Sequence, residues 1–276
     1  MVICDKYNPE ELVKLLKVEN TLQKRSLGHC LIVFGKFLLT SRMYCVTDKS
    51  ILVPWGNHEC RTITQTYGFY DECLSKYGHS GIWNFCCEVF DSIPLAAVID
   101  DRVLCVHGGL SPKIHTISEI HSINRVREIP LTGPFADLLW SDPEEEIGSF
   151  QLNSSRGAGV LFGRTAVETF LEENQLQLIC RSHQLCLEGY KYLWDQKLLT
   201  IWSAPNYTYS CKNKAAVVRF IPDGTCAFSV LKQPTIRMSK QKHFTQFKLA
   251  RACCKNHLSY CLHYHMQGCH YCFVIF

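Results

Sequence analysis

The stretch Ile51-Leu-Val-Pro-Trp-Gly-Asn-His-Glu59 passes from an apolar run into a polar turn. Ile51–Trp55 has the composition of a short buried β-strand, and Gly56 lets the backbone turn sharply so that adjacent polar side chains can face one cavity. Asn57 can offer an amide oxygen to a hard cation, and His58 can carry a proton near neutral pH. Taken alone, the residues after the strand also fit an ordinary polar turn.

Two later apolar runs end in the same way. Val103–His107 delivers a histidine that two glycines follow, and Leu176–Cys180 leads through Arg181 and Ser182 into His183. Each histidine alone also fits a packed structural residue. Ligands from the ends of separate strands commonly build a site on a rigid sheet. The repetition therefore predicts one shared site for three metal-competent side chains, namely Asn57, His107 and His183.

Two further loops favour anion binding. Ser155–Gly159 places the guanidinium of Arg156 beside flexible backbone, which suits bidentate contact with a phosphate. Ser203–Tyr207 follows another strand and carries a phenol that can donate a hydrogen bond to an oxyanion. The alternatives for these two side chains are a surface arginine and a packed tyrosine.

Short β-type runs alternate with polar loops and helical patterns in the middle of the chain. The predicted strands are Ile51–Trp55, Leu95–Ile99, Val103–His107, Leu176–Cys180, Leu198–Trp202, Ala215–Phe220 and Cys226–Leu231. The predicted helices are Pro9–Val18, Thr62–Tyr77, Gly81–Phe90 and Ala166–Asn174. This order predicts a mixed α/β domain rather than a regular βαβ series.

We divide the chain into an atypical N-terminal segment (1–50), a central domain (51–232) and an irregular Cys/His-rich tail (233–276). The 276 residues are 47% hydrophobic with a net charge of +4, which is typical of a globular domain and argues against disorder and nucleic-acid binding. Leu31–Leu39 is too short to span a bilayer, and Met1–Lys17 lacks the pattern of a signal peptide. We therefore expect a chain of the cytoplasm or nucleus whose 17 cysteines are reduced.

Six segments, in order, resemble the phosphoprotein phosphatase family of serine/threonine phosphatases. They are Gly56–Glu59, His107–Pro112, Leu139–Pro143, Arg156–Gly163, Arg181–Gln184 and Ser203–Tyr207. Tyr67–Cys73 and the segments around Trp140 and Arg156 are most similar to the type 2A-like branch. The resemblance implies a calcineurin-like metallophosphoesterase β-sandwich flanked by helices, with its N-terminal strands incomplete.

The resemblance also implies roles for these residues and the partners of the chain. Asn57, His107 and His183 would bind one of two metal ions, which in this family are manganese, iron or zinc. His58 would be the general acid that protonates the leaving serine or threonine oxygen, and the nucleophile would be a water that the metals ionise. Arg156 would clamp the phosphate and Tyr207 would line the pocket. The implied partners are phosphoprotein substrates and regulatory or scaffold subunits, with no nucleic acid and no membrane.

The chain departs from the family in one important respect. The family's early motifs, Gly-Asp-x-His-Gly and Gly-Asp-x-x-Asp-Arg-Gly, are both absent. The only aspartates before Pro54 are Asp5 and Asp48, and the only histidine is His29. Only one metal's ligands are therefore recognisable. Losing a third of the metal's usual lowering of the water pKa would cost about 4 kcal/mol, roughly a thousandfold in rate.

Three alternatives follow from this departure and from the composition of the tail. The chain is an active phosphatase, a catalytically dead pseudophosphatase that binds phosphoproteins through Arg156, or a phosphatase sequence altered in processing. The tail adds a zinc-binding adaptor as a further alternative to an irregular extension, since its last 26 residues are rich in cysteine and histidine.

Overall fold

The computed structural model describes residues 44–46, 51–52, 54–221, 223–231 and 272–274. Within these residues, short α-helices of five to ten residues connect and cover three β-sheets. The helices are α1 (Arg61–Thr66), α2 (Phe69–Tyr77), α3 (Gly81–Phe90), α4 (Ile117–His121), α5 (Pro134–Trp140) and α6 (Arg164–Glu173).

The strands form two larger sheets and one small sheet. They are β1 (Tyr44–Val46), β2 (Ile51–Leu52), β3 (Ala96–Ile99), β4 (Val103–Val106), β5 (Asp142–Pro143), β6 (Phe150–Leu152), β7 (Val160–Phe162), β8 (Leu178–Arg181), β9 (Tyr190–Leu193), β10 (Leu198–Ile201), β11 (Ala215–Phe220), β12 (Cys226–Leu231) and β13 (Cys272–Val274). The strand orders are β1-β3-β4-β8-β10-β9, β12-β11-β13-β2 and β5-β7-β6.

The first sheet is buried on both faces along its central strands. Every residue of β3, β4, β8 and β10 is buried, which explains why their sequences are apolar except for Arg181 and Thr200. β4 and β8 run parallel with Leu104 opposite Ile179, and β10 continues in parallel beside β8. Because parallel strands end at the same edge of a sheet, His107 and His183 leave the sheet on one side of the molecule.

Apolar side chains fill the space on both sides of the first sheet. One cluster joins Cys180 and Leu199 of this sheet to Val218 and Phe220 of the second, as in a β-sandwich. The other joins strand residues such as Leu104 to the helices, and includes Trp55, 1% exposed, whose ring packs edge-on against Phe135 at 5.4 Å. The mixed α/β class and the helix-flanked sandwich that the sequence predicts are confirmed.

The predicted helix Thr62–Tyr77 is two helices in the structure. Gly68 adopts φ 87° and separates α1 from α2, because a left-handed residue ends the i→i+4 hydrogen-bond ladder. Gly81–Phe90 is helical as expected, and the third predicted helix of the central domain begins at Arg164. The predicted helix Pro9–Val18 lies outside the described residues.

Short strands outside the predicted central domain also take part in the sheets. β1 pairs in parallel with β3, and β13 lies between β11 and β2. The cysteines and histidines of the tail that suggested zinc lie outside the residues whose side chains are described. Among the described residues, none of the helices has the length and apolar content that a bilayer span needs.

Candidate active site

Asn57 and His107 lie in contact at the edge of the first sheet where β4 ends. His107 Nε2 lies 2.9 Å from Asn57 Oδ1, although the two residues are 50 positions apart in the chain. The turn that presents Asn57 is closely packed at position 56, where a Cβ would displace the Glu59 carboxylate and come within 3.1 Å of the His107 ring. Trp55 Nε1 donates to the Glu59 carbonyl oxygen at 2.5 Å and closes the turn.

His183 completes this group from the next parallel strand. Its ring centroid lies 5.1 Å from that of His107, and Trp140 packs edge-on against its other side at 5.5 Å. Its backbone has φ 66°, a left-handed conformation that costs energy for a residue with a side chain. Nε2 of this ring is buried without a hydrogen-bond partner. Strain and an unsatisfied buried nitrogen together are typical of a ligand-binding side chain.

The half-buried imidazole of His107 and the buried imidazole of His183 both favour the neutral form. Burial lowers the pKa of His107 well below its ordinary value, and the neighbouring charges of His183, Arg181 and His58 lower it further. Burial is also the main cause that lowers the pKa of His183, followed by the charges of Arg181, Arg156 and His58. The neutral imidazole is the form that coordinates metal ions.

These residues fit one divalent metal ion. Asn57 is 3% exposed and His183 is 9% exposed, and together with His107 they offer two nitrogens and one oxygen, a donor set that suits manganese, iron or zinc. The unsatisfied Nε2 of His183 is the atom that most needs such a partner. In the described part of the chain, no group of three or more His, Cys, Asp or Glu side chains forms a metal site, so a second ion has no comparable set of donors there.

His58 lies at the solvent side of this group. It is exposed, and its ring contacts that of Tyr67 in a tilted arrangement with the centroids 4.8 Å apart. The surrounding protein lowers the pKa of His58 below its ordinary value by desolvation, so its protonated fraction near neutral pH is reduced. Its charge also acts on the pKa of His107 and His183, which places it beside the buried donors.

Arg156 lies close enough to His183 for its charge to lower the pKa of that imidazole, and it is held by a carboxylate. Its Nε donates to Asp142 Oδ2 at 2.8 Å and its Nη2 to Oδ1 at 3.5 Å. Asn153 supports this pair, because its amide nitrogen donates to Asp142 at 3.2 Å and its amide oxygen accepts the Arg156 backbone N–H at 3.3 Å. The Arg156 side chain is 33% exposed, which leaves it accessible to a ligand.

Arg181 and Asp142 are central to the site, yet the strand pattern gave Arg181 no role. The side chain of Arg181 is fully buried, and its Nη2 donates to Asp142 Oδ1 at 3.0 Å. Burial lowers the pKa of Arg181 to about 10, while Asp142 opposes this shift. An arginine at the end of an otherwise apolar strand was the available signal, and Asp142 lies inside the Leu139–Pro143 segment of the family resemblance.

Tyr207 lies in a separate loop after β10. Asn213 Oδ1 accepts its backbone N–H at 2.7 Å, and its ring packs edge-on against Trp202 at 4.9 Å. A short 3₁₀ helix, Tyr207–Tyr209, begins here. The structure thus fixes the loop, and the contact of Tyr207 with a bound phosphate stays a prediction.

Comparison with known protein families decides the assignment. The sequence profile of the calcineurin-like phosphoesterase family matches residues 32–187, which is more than half of the chain. The chain belongs to the calcineurin-like phosphoesterase family. This family implies divalent metal ions, in agreement with the neutral donors at the end of β4 and after β8. The match begins inside the N-terminal segment that the sequence suggested was atypical.

Several curated proteins that this chain is similar to are named as serine/threonine-protein phosphatases. The chain is 56% identical over 165 residues to the serine/threonine-protein phosphatase 6 catalytic subunit of Drosophila melanogaster, covering 60% of this chain and 54% of that protein. It is 50% identical over 192 residues to the phosphatase 4 catalytic subunit of Kluyveromyces lactis, covering 70% of this chain and 61% of that protein. The chain thus spans about 54–61% of the length of these relatives.

A solved structure has the same fold. It is a protein serine/threonine phosphatase from Saccharomyces cerevisiae with similarity to human phosphatase PP5, and it superimposes with a TM-score of 0.71 at 22% sequence identity. The similarity covers 85% of this chain and 99% of the yeast chain. At this identity the likeness establishes the calcineurin-like phosphoesterase fold alone.

Proposed function

We propose that this chain is a metal-dependent protein phosphatase that hydrolyses phosphoserine and phosphothreonine. The observation that carries the proposal is the convergence of Asn57, His107 and His183, with the unsatisfied Nε2 of His183 among them and Arg156 beside them. The names of the relatives support the substrate class, since both are serine/threonine-protein phosphatases.

The proposed mechanism assigns a task to each side chain. Asn57, His107 and His183 would hold a manganese, iron or zinc ion, which supplies an ionised water near neutral pH when bound. Arg156 would bind phosphate oxygens through the part of its guanidinium that faces away from Asp142. His58, at the exposed side, would hold the proton that the leaving serine or threonine oxygen takes up.

A second candidate function is phosphoprotein binding without hydrolysis. It is favoured by the absence of a carboxylate-containing metal site among the described residues and by the missing aspartate motifs. The Arg156–Asp142–Asn153 arrangement is intact, so the part of the phosphate site that Arg156 would supply is present. This candidate uses the same site as the phosphatase but binds the phosphoprotein without hydrolysing it.

Metal content and phosphate release distinguish the two candidates. We would incubate the full chain with manganese and a phosphothreonine peptide, and measure bound metal and released phosphate with and without a chelator. A phosphatase should release phosphate only without the chelator and should hold at least one ion per chain. A binding protein should hold at most one ion and retain the peptide unchanged. If the chain neither releases phosphate nor binds the peptide, both candidates are overturned.

Substitution of Arg156 tests the phosphate site of either candidate. Arg156→Ala should weaken phosphopeptide binding by roughly 10–100-fold, because a hydrogen bond to a charged group contributes about 1.5–3 kcal/mol. Fluorescence anisotropy with a labelled peptide measures the effect. Arg164→Ala is the matched control, since Arg164 is also an ion-paired arginine but lies on α6 with Glu168 and Asp195. Equal affinity of the two variants would contradict the role of Arg156.

We further propose regulatory subunits as partners, because both relatives are named catalytic subunits. The expected location in the cytoplasm or nucleus stays a prediction from the sequence.

A further inference from the structure

Arg181 donates hydrogen bonds to three separate segments of the chain. Its Nε donates to the Gly108 carbonyl at 2.6 Å, and its Nη1 donates to Gln184 Oε1 at 3.1 Å. Its Nη2 donates to the Ser141 carbonyl at 2.9 Å and to Asp142 Oδ1 at 3.0 Å. A guanidinium with its planar fork can hold several acceptors in fixed directions, which a lysine ammonium cannot do.

Each acceptor is adjacent in sequence to a residue of the candidate site. Gly108 follows His107, and Gln184 follows His183. The two loops that carry the proposed metal-binding histidines are therefore both hydrogen-bonded to the guanidinium of Arg181. Ser141 follows Trp140, whose ring packs against His183. The loops are also joined directly, since the backbone N–H of Ser182 donates to the His107 carbonyl at 3.0 Å.

Asp142 extends this network to the phosphate side. Its two carboxylate oxygens are divided between buried Arg181 and accessible Arg156, with Asn153 as a third donor. Loss of Arg181 would leave Asp142 with Arg156 as its remaining cation among these partners. Arg156 would then be drawn towards the carboxylate and away from a ligand.

We propose that Arg181 is a positioning residue that sets His183 and His107 for metal binding and, through Asp142, sets Arg156 for phosphate binding. This inference rests on the proposed function for its consequences in binding. The geometric part, that Arg181 determines the placement of both imidazoles, can be tested without metal or substrate. Arg181 itself would contact neither the metal ion nor the phosphate.

Two substitutions separate the charge of Arg181 from its geometry. Arg181→Lys keeps the cation and removes the fork, and Arg181→Met keeps most of the length and removes the cation. Arg164→Met is the matched control on the surface of α6. The first readout is nuclear magnetic resonance of the ¹⁵N-histidine-labelled full chain, with His107 and His183 resonances assigned from single His→Gln variants.

We expect both Arg181 variants to shift the ring resonances of His107 and His183, and Arg164→Met to leave them unchanged. Manganese affinity, measured by isothermal titration calorimetry, should fall by about 10–100-fold in Arg181→Lys, the range typical of lost supporting residues around metal ligands. Affinity for inorganic phosphate should fall in the same variant, although Arg156 is retained.

Unchanged histidine resonances in a folded but less stable Arg181→Lys chain would overturn the inference, because Arg181 would then act on stability alone. If both Arg181 variants fail to fold, Gln184→Ala removes the acceptor of Nη1 and keeps the buried cation. Unshifted His183 resonances in that variant would equally overturn the inference. A parent chain that binds neither manganese nor phosphate would refute the proposed function, while the resonance shifts would still decide the role of Arg181.

Discussion

Replacing His183 with asparagine should abolish metal binding while leaving the chain folded. Manganese affinity should fall by more than about 100-fold, because removing a direct ligand costs more than removing a supporting residue, whose loss costs about 10–100-fold. Phosphate release from a phosphothreonine peptide should disappear with it. Asparagine is the informative replacement because it tolerates the left-handed backbone that His183 adopts at φ 66°.

The fold should tolerate this replacement because opposing effects nearly cancel. The substitution relieves backbone strain, exchanges the unsatisfied buried Nε2 for a smaller amide that can turn towards solvent, and loses the ring contacts with His107 and Trp140. Each of these effects is about 1 kcal/mol, so the free energy of unfolding should change by less than about 1 kcal/mol.

Isothermal titration calorimetry with manganese measures the affinity. Unfolding of the same preparation in guanidinium measures the free energy of unfolding. His115→Asn is the matched control, since His115 is an exposed histidine outside the site and its loss should alter neither quantity. Undiminished manganese affinity in the His183 variant would remove His183 from the ligand set. Loss of affinity together with unfolding would show that the residue serves the fold instead.

Much of the sandwich could be predicted from the sequence because its central strands are buried on both faces. Such strands are largely apolar runs, and the predicted Val103–His107 and Leu198–Trp202 contain the fully buried β4 and β10. The short strands β5, β6 and β7 gave no such signal, since they are two or three residues long and partly exposed. The pairing of β13 with β2 depends on contacts between distant residues, which local periodicity does not encode.

The candidate site could be predicted where its residues follow buried strands. His107 and His183 do so, and the parallel pairing of β4 and β8 brings the two histidines together. Arg181 could not be assigned in this way, because a charged residue at a strand end ordinarily faces solvent. Its burial follows from acceptors on two distant segments, at Gly108 and at Ser141, which only the tertiary structure assembles.

Replacing Gly163 with alanine should destabilise the chain by about 3 kcal/mol, at the upper end of typical overpacking effects. A Cβ at this position would overlap the carbonyl group of Ile147, with the carbonyl carbon 2.6 Å away, and would lie 2.7 Å from the Gly148 oxygen. These obstacles are backbone atoms, so no change of rotamer relieves them. The Gly163 N–H also donates to the Ser149 carbonyl at 2.6 Å, which fixes the two segments together.

The clash should also reach the phosphate side of the site. Gly163 directly follows β7, in which Leu161 pairs with Asp142 of β5, so a displaced β7 would move the carboxylate that holds Arg156. Arg156-dependent peptide binding should therefore weaken in whatever fraction of the Gly163 variant remains folded.

Gly148→Ala provides the matched control, because Gly148 lies in the segment that Gly163 approaches. A Cβ there would meet only Thr165 Oγ1 at 3.9 Å, an ordinary contact distance, so the free energy of unfolding should change by less than about 0.5 kcal/mol. Thermal unfolding should separate the two variants by roughly 10 °C, since 1 kcal/mol corresponds to about 2–4 °C in a domain of this size. Equal melting temperatures would mean that the Ile147–Ser149 segment can move away from Gly163. The placement of β7, and with it that of Asp142, would then depend on its strand pairing and not on this close approach.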